Sequence, residues 1–325
     1  MGRATDKARG GRGRILVRRL VQFVPVVVLA TLVVFGLLEL VPGDPAVMLA
    51  GENATPEHVI EIRHAYGFDR PFLVQYGQWL LHALHGDLSR SFFTKADVTT
   101  AILQSFPNTL LVAVLALIVS LAIGIPLGIL SATHVRRPLD LIIGAVSSMG
   151  VALPTFWLAM ILVAVFALKL HWLPATGAVP VNQDFGRALT HAVLPALALA
   201  AGGIASVTRQ LRSAMLDVLS SPFVRALHAK GLPPSVILWK HCLKNVGVTL
   251  LTVIGLLFNG LLGATVVIEA VFAIPGMGSL IVNAAINRDF PVVQGVVLTL
   301  VVVVILVNLA IDLLYTWLDP RMAEI

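Results

Sequence analysis

Charge is scarce in this sequence. Of 325 residues only 12% are Asp, Glu, Lys or Arg, whereas 58% are hydrophobic, and the mean hydropathy is +0.91. A soluble domain carries about 25% charged and about 45–50% apolar residues. The apolar excess cannot be hidden inside one globule, so lipid is the solvent that accommodates it. Cysteine is nearly absent as well. Cys242 is the single one, which excludes an internal disulfide and a zinc cluster built on several thiolates. It falls in a segment read below as cytosolic, where a free thiol is ordinary. No G-x-x-x-x-G-K-[ST] run occurs, so the chain has no P-loop to hold nucleotide phosphates; Ala229-Lys230-Gly231-Leu232 has the wrong order. H-E-x-x-H and G-x-S-x-G are also missing. These absences leave no catalytic, cofactor-binding or metal-ligating set to nominate.

The apolar residues gather into six stretches, at about 20–42, 107–132, 139–168, 191–214, 247–273 and 292–316. Each meets the roughly 20 residues needed to cross a hydrocarbon core of about 30 Å. The fourth is the weakest, because Gly202-Gly203 interrupts it and Arg209 and Arg212 end it. The first follows the basic residues Arg3 to Arg19, but it exceeds a cleavable signal core and reads as an uncleaved anchor. The net charge of +6 does not point to nucleic acid, since the cations sit at the ends of the apolar stretches. Residues 1–19, the loop with Arg136 and Arg137, the stretch from Arg209 to Lys244 and the tail with Arg321 are rich in Lys and Arg. The short loops on the opposite side hold only Lys169, Arg187 and Arg288. The positive-inside rule then puts both termini, 1–19 and 317–325, in the cytoplasm.

Two non-spanning segments carry local signals. Residues 43–106 form an extracytoplasmic segment, opened by Pro42-Gly43-Asp44-Pro45, with helices expected around Pro56–Tyr66 and Pro71–His85. Thr55 is placed to cap the first, with Pro56 at its first position. Residues 216–245, between the fourth and fifth spans, are unusually patterned for a loop. Ser220-Ser221-Pro222 starts a helix in which Phe223, Ala226, Leu227 and Lys230 recur at helical spacing, and Gly231 ends it. Pro233-Pro234 suit the first turn of a second helix, with Val236, Ile237, Trp239 and Leu243 on an apolar face and Lys240, His241 and Lys244 on a polar rim. Either a partner protein or the lipid headgroups would cover such a surface.

The run Val224-Arg225-Ala226-Leu227-His228-Ala229-Lys230-Gly231, followed by Trp239-Lys240-His241-Cys242-Leu243-Lys244-Asn245, resembles the EAA loop of binding-protein-dependent ABC importers, specifically the dipeptide/oligopeptide/nickel branch. Gly231 anchors the match; Arg225 stands where the family has its leading glutamate and Leu227 where it has its second alanine. Arg18-Arg19-Leu20 with Pro25 and Pro42-Gly43-Asp44-Pro45 resembles the first helix of B-type peptide permeases. Phe106-Pro107-Asn108-Thr109-Leu110 through Gly124-Ile-Pro-Leu-Gly128, and Glu269-Ala-Val-Phe272-Ala-Ile-Pro275-Gly276-Met-Gly278 with Arg288-Asp289-Phe290-Pro291, resemble further parts of the same family. The resemblance implies an all-α integral membrane protein with six transmembrane helices, a type-I ABC importer core at about 98–316 and an extracytoplasmic insertion between the first two helices. It implies a second permease subunit of C type, two ABC ATPase subunits or one fused ATPase, and an extracytoplasmic peptide-binding protein. ATP and Mg would be held by the ATPases, with no cofactor in this chain. Residues Arg225, Ala226, Lys230, Gly231, Val236, Trp239, Lys240, His241, Lys244 and Asn245 would couple to the ATPase. Di- or oligopeptides are the implied cargo, with nickel chelates or glutathione as alternatives within the branch.

An ion-coupled secondary transporter is the competing class. It needs ionisable groups at the membrane midplane. Glu39 and Glu269 fall near outer span ends and Asp312 near an inner one, while Asn259 and Asn308 are uncharged, so no central carboxylate pair is evident. Glu269, Phe272 and Asn259 are candidate pathway or gate groups, although Glu269 could equally cap a helix end. Arg209 and Arg212 fit headgroup anchoring or contact with the ATPase. Pro154 and Gly202-Gly203 fit kinks, close helix packing or hinges.

Overall fold

The computed structural model describes residues 21–37, 44–51 and 54–318. Among these residues the protein is helical throughout, apart from one isolated antiparallel bridge between Arg90 and Asp97. The chain divides into two compact units. Among the described residues one comprises 107–278 with 307–318, and the other comprises those up to Phe106 with 279–306.

The second unit begins with α1 (Val21–Leu37) and continues through α2 (Pro45–Ala50), α3 (Pro56–Tyr66) and α4 (Phe72–Leu84). Local chemistry sets these boundaries. Thr55 accepts the His58 amide, Pro56 occupies the first turn, and Gly67 closes α3 at φ 72° in the left-handed region. Tyr76 on α4 ties back to α1, where its hydroxyl meets the Thr31 hydroxyl at 2.9 Å and donates to the Val28 carbonyl at 3.1 Å. Asp289 holds Ser91 and the Phe92 amide of the same unit.

The first unit is built from long apolar helices: α5 (Val98–Thr133, which begins in the other unit), α6 (Pro138–Ala152), α7 (Thr155–Leu162, continued by a π-helical stretch, Val163–Lys169), α8 (Phe185–Leu219) and α11 (Leu243–Phe272). Between α8 and α11 lie α9 (Pro222–Ala229), α10 (Pro234–Val236) and a π-helical stretch, Ile237–Cys242; α12 (Met277–Ile286) and α13 (Phe290–Leu318) follow. Central α8 packs against α6, α7 and α11. It is also the least apolar of the long helices and the most enclosed, with 56% of its apolar window buried. Small residues explain both properties, because they let helix backbones approach closely. Gly124 and Gly128 on α5 face Val207 and Leu211 on α8, where an added Cβ would stand only 2.8 Å and 3.0 Å from the partner Cβ. Gly203 on α8 gives the same clearance to Ser120 on α5. The Gly202-Gly203 pair therefore does not interrupt this helix; Gly203 is a close-packing position.

Among the described residues four helices are long and apolar enough to cross a membrane: Val98–Thr133, Phe185–Leu219, Pro234–Phe272 and Phe290–Tyr315. The stretch expected as one span at 139–168 is instead two helices, Pro138–Ala152 and Thr155–Lys169, bent by 98°, and it gives a fifth if taken together. Pro154 sits at the break and lacks the N–H that would continue the ladder. The expected first span, 20–42, coincides with α1 over 17 described residues; residues 20 and 38–42, including Glu39, lie outside the described residues, as do 1–19 and 319–325.

Candidate functional site

The segment 222–246 is a surface device mounted on the ends of α5 and α8. Ser221 caps α9 by accepting the Val224 amide, and Pro222 occupies the first turn. The helix stops at Gly231, whose φ of 77° needs the left-handed region. The Gly231 amide donates to the His228 carbonyl at 2.9 Å and the Leu232 amide to the Leu227 carbonyl at 3.3 Å, the paired bonds of a Schellman closure. Val224, Leu227, Ile237, Cys242 and Val246 turn inward and pack with Ile129, Ala132, Leu211 and Met215.

What remains outside is cationic and aromatic. Arg225, Ala226, Lys230, Gly231, Lys240, Lys244 and Asn245 are exposed, and Val236 and His241 are half-buried. Trp239 is 60% and Phe223 46% exposed, and Phe223 meets the His241 ring edge-on at 6.1 Å. No acidic residue occurs between Pro222 and Val246. Of the apolar face expected at Val236, Ile237, Trp239 and Leu243, Ile237 turns into the core while Trp239 stays outside with Phe223. The π-helical stretch replaces an i+4 step by i+5, so the buried stripe runs Ile237, Cys242, Val246 and leaves Trp239 outside. Cys242 is likewise fully buried, not a loop thiol.

Two enclosed carboxylates brace the first unit. Glu269 on α11 is fully buried. The Thr109 hydroxyl on α5 donates to its carboxylate at 2.5 Å and accepts the Met277 amide at 2.8 Å. Asn108 donates to the Pro275 carbonyl at 2.9 Å. The chain turns from α11 through Ala273, at φ 49°, back to the start of α12. Gly276 and Gly278 there leave room for the carboxylate, because a Cβ on Gly276 would overlap it. The Glu269 carboxylate thus sits by the amide end of α12, where negative charge is favoured. Phe272, one turn on, is buried in the helix core. Asn259 instead donates to Asn308 at 3.3 Å, while its own carbonyl oxygen is buried without a partner among the described residues.

The other carboxylate, Asp140, was not legible as a site. It accepts the Arg212 guanidinium through two bonds of 2.8 Å, the Ser131 hydroxyl at 2.5 Å and the Arg136 amide at 3.0 Å. Arg212 therefore ties α8 to α6 rather than reaching only for headgroups. The available signal was an acid placed just inside an apolar stretch, where a partner is obligatory.

The profile described as "binding-protein-dependent transport system inner membrane component" matches residues 124–324. The chain belongs to this family. The matching N-terminal profile of these membrane components covers residues 13–113. A Brucella suis chain carrying a peptide transport system permease name is 39% identical over 94% of this chain and 98% of its own length. The oligopeptide transport system permease AppB of Bacillus subtilis is 35% identical over 94% and 98%, and the dipeptide transport system permease DppB of Alkalihalophilus pseudofirmus 34% over 94% and 97%. The fold is also that of a chain of the MetNI methionine ABC transporter, solved in inward-facing conformations, with a TM-score of 0.56 at 20% identity, covering 68% of this chain and 97% of that one. The family places this permease component in the inner membrane, and the secondary-carrier alternative has no further support.

Proposed function

We propose that this chain is one permease subunit of an ATP-driven importer of di- or oligopeptides. The observation that carries the reading is the 34–39% identity, over almost the whole chain, to permeases named for peptide transport. The chain would form half of the translocation pathway with a second, similar permease. ATP and Mg belong to separate ATPase subunits, and an extracytoplasmic protein delivers the peptide. Six spans with cytoplasmic termini complete the arrangement. The cationic, aromatic outer face of 222–245 supports a role in docking to the ATPases, because it is held rigidly from within by Val224, Leu227 and Ile237. Glu269 and Phe272 act in this reading from inside the helix packing, and Asn259 with Asn308 is the polar pair nearest to a pathway role.

Purification of the tagged chain from native membranes tests the assembly. Copurification of an ATPase and a second permease, and ATP-dependent peptide uptake after reconstitution, are expected. A chain that takes up peptides alone, without any ATPase, would refute the reading.

A further inference from the structure

The second unit holds an open cleft of about 960 Å³, at the upper end of the volume range of small-molecule sites. Its walls are aromatic. Tyr66 and Phe68 stack at 5.8 Å, and Phe92 stands edge-on to both. Across from them Trp79 packs on Phe35 at 6.2 Å.

The polar lining has one sign. Among the described residues Arg63, Arg90 and Lys95 line the cleft with one carboxylate, Asp44, which is already paired with Arg63. Asp97 faces Arg90 across the backbone bridge but directs its carboxylate to Thr100. Arg90 and Lys95 are both exposed at the cleft, and, after the Thr100 hydrogen bonds, the Arg90 charge also helps hold the neighbouring Asp97 carboxyl below its ordinary pKa. Among the described residues two buried donors there also lack a partner, the Arg63 Nε and the Trp79 indole Nε1. Trp79 itself is only 9% exposed. A buried N–H without an acceptor is costly, and cations around an aromatic-walled space supply what an anion on an apolar body requires.

We propose that this cavity binds the free carboxylate end of a short peptide with aromatic or branched side chains. Arg90 and Lys95 would take the carboxylate, and the aromatic walls would take the side chains. Among the described residues the cations Arg90 and Lys95 outnumber the one lining carboxylate, Asp44, so the acid end is the end assigned to this cleft. The proposal rests on the reading of the chain as a peptide permease and adds to it a cargo site within this subunit.

The test titrates the purified full-length chain, in phosphatidylcholine nanodiscs, with N-acetyl-diphenylalanine and with its C-terminal amide, read by calorimetry. The acid is expected to bind saturably and the amide about tenfold more weakly; Arg90→Gln and Lys95→Gln should each weaken the acid by about tenfold and leave the amide unchanged. Equal binding of acid and amide, no binding of either, or variants that change nothing would overturn the proposal. Loss of acid binding when phosphatidylglycerol replaces phosphatidylcholine would also overturn it, by assigning the cavity to a lipid headgroup. Uptake by the reconstituted transporter separates the two readings. Uptake without acid-selective binding removes the site and leaves the permease function standing. Acid-selective binding without uptake keeps the site and removes that function.

Discussion

Gly231 offers a sharp test of why the 222–245 segment has its shape. Its φ is 77°, and a Cβ built there meets nothing within 4 Å. Within this chain, then, side-chain size is free and only backbone conformation is constrained. A left-handed conformation costs an L-residue about 1–2 kcal/mol. Asn adopts it most readily, Ala less so, and a β-branched residue least. That cost falls on the Schellman closure, where two hydrogen bonds set the angle between α9 and the chain that follows. A penalty of about 1–2 kcal/mol lowers the closed population by a factor of about 5–30. In the reconstituted transporter, peptide uptake and the coupled ATP hydrolysis should therefore fall in the order Gly231, Gly231→Asn, Gly231→Ala, Gly231→Val. The Asn variant should stay close to the parent and the Ala variant lose up to about 5–30-fold. The informative comparison is Asn against Ala, since Asn is larger. If Ala retains more activity than Asn, side-chain volume against a partner governs the position, and the conformational argument is wrong.

Three further outcomes follow from the bracing of the helices. Thr109→Val strips the hydroxyl that serves both the Glu269 carboxylate and the Met277 amide, and should destabilise the purified chain by about 2–4 kcal/mol in thermal or denaturant unfolding, while Thr109→Ser stays near the parent. Arg212→Met leaves the Asp140 carboxylate enclosed without its counter-charge and should cost about 3 kcal/mol; the double variant Asp140→Asn with Arg212→Met should recover most of that, as a paired loss and not an additive one. The Thr100 hydroxyl and amide hold the Asp97 carboxyl below its ordinary pKa. A depressed folded-state value means that the capping contribution is complete above the unfolded pKa of about 3.9 and is lost as the pH falls through the folded value. The protection factors of the amides at the start of α5 should therefore fall on acidification below that point, and Asp97→Asn should abolish the pH step.

The sequence announced some of these features because their causes are local. Thr55-Pro56 and Gly67 bound α3, and Ser221-Pro222 and Gly231 bound α9, through caps that involve residues only a few positions apart. The braces were hidden for the opposite reason. Asp140 finds Arg212 72 positions away, and Thr109 finds Glu269 at 160. A hydropathy window registers each of these residues only as an interruption or as a span end. The 98° bend at Leu153–Pro154 lies between these cases. Proline marks the break, but the angle depends on what α6 and α7 pack against. Which of Ile237 and Trp239 turns inward was not legible, because a π-helical step is not a periodicity that the side chains reveal.

These braces determine where the first unit can deform. The buried residues of 222–246 pack on Ile129 and Ala132 of α5 and on Leu211 and Met215 of α8. Any displacement of α9 is therefore delivered to both helices at once. The two cannot readily slide past each other. Gly124 and Gly128 meet Val207 and Leu211 at matched four-residue steps, and Gly203 meets Ser120 one step further along. A shift of one step along the seam, about 6 Å, would bring side chains where only a glycine fits, and packed cores resist such intermediates. The Thr208 hydroxyl bonds the Gly124 carbonyl across the same seam. Farther along α5, Thr109 is fixed to α11 through Glu269. With α5 and α8 acting as one body, the compliant elements are the break at Pro154 and the π-helical stretch Val163–Lys169, where the α-helical hydrogen-bond ladder is already interrupted or loosened. A displacement imposed at α9 would then be taken up in the angle between α6 and α7 before any shear along α5.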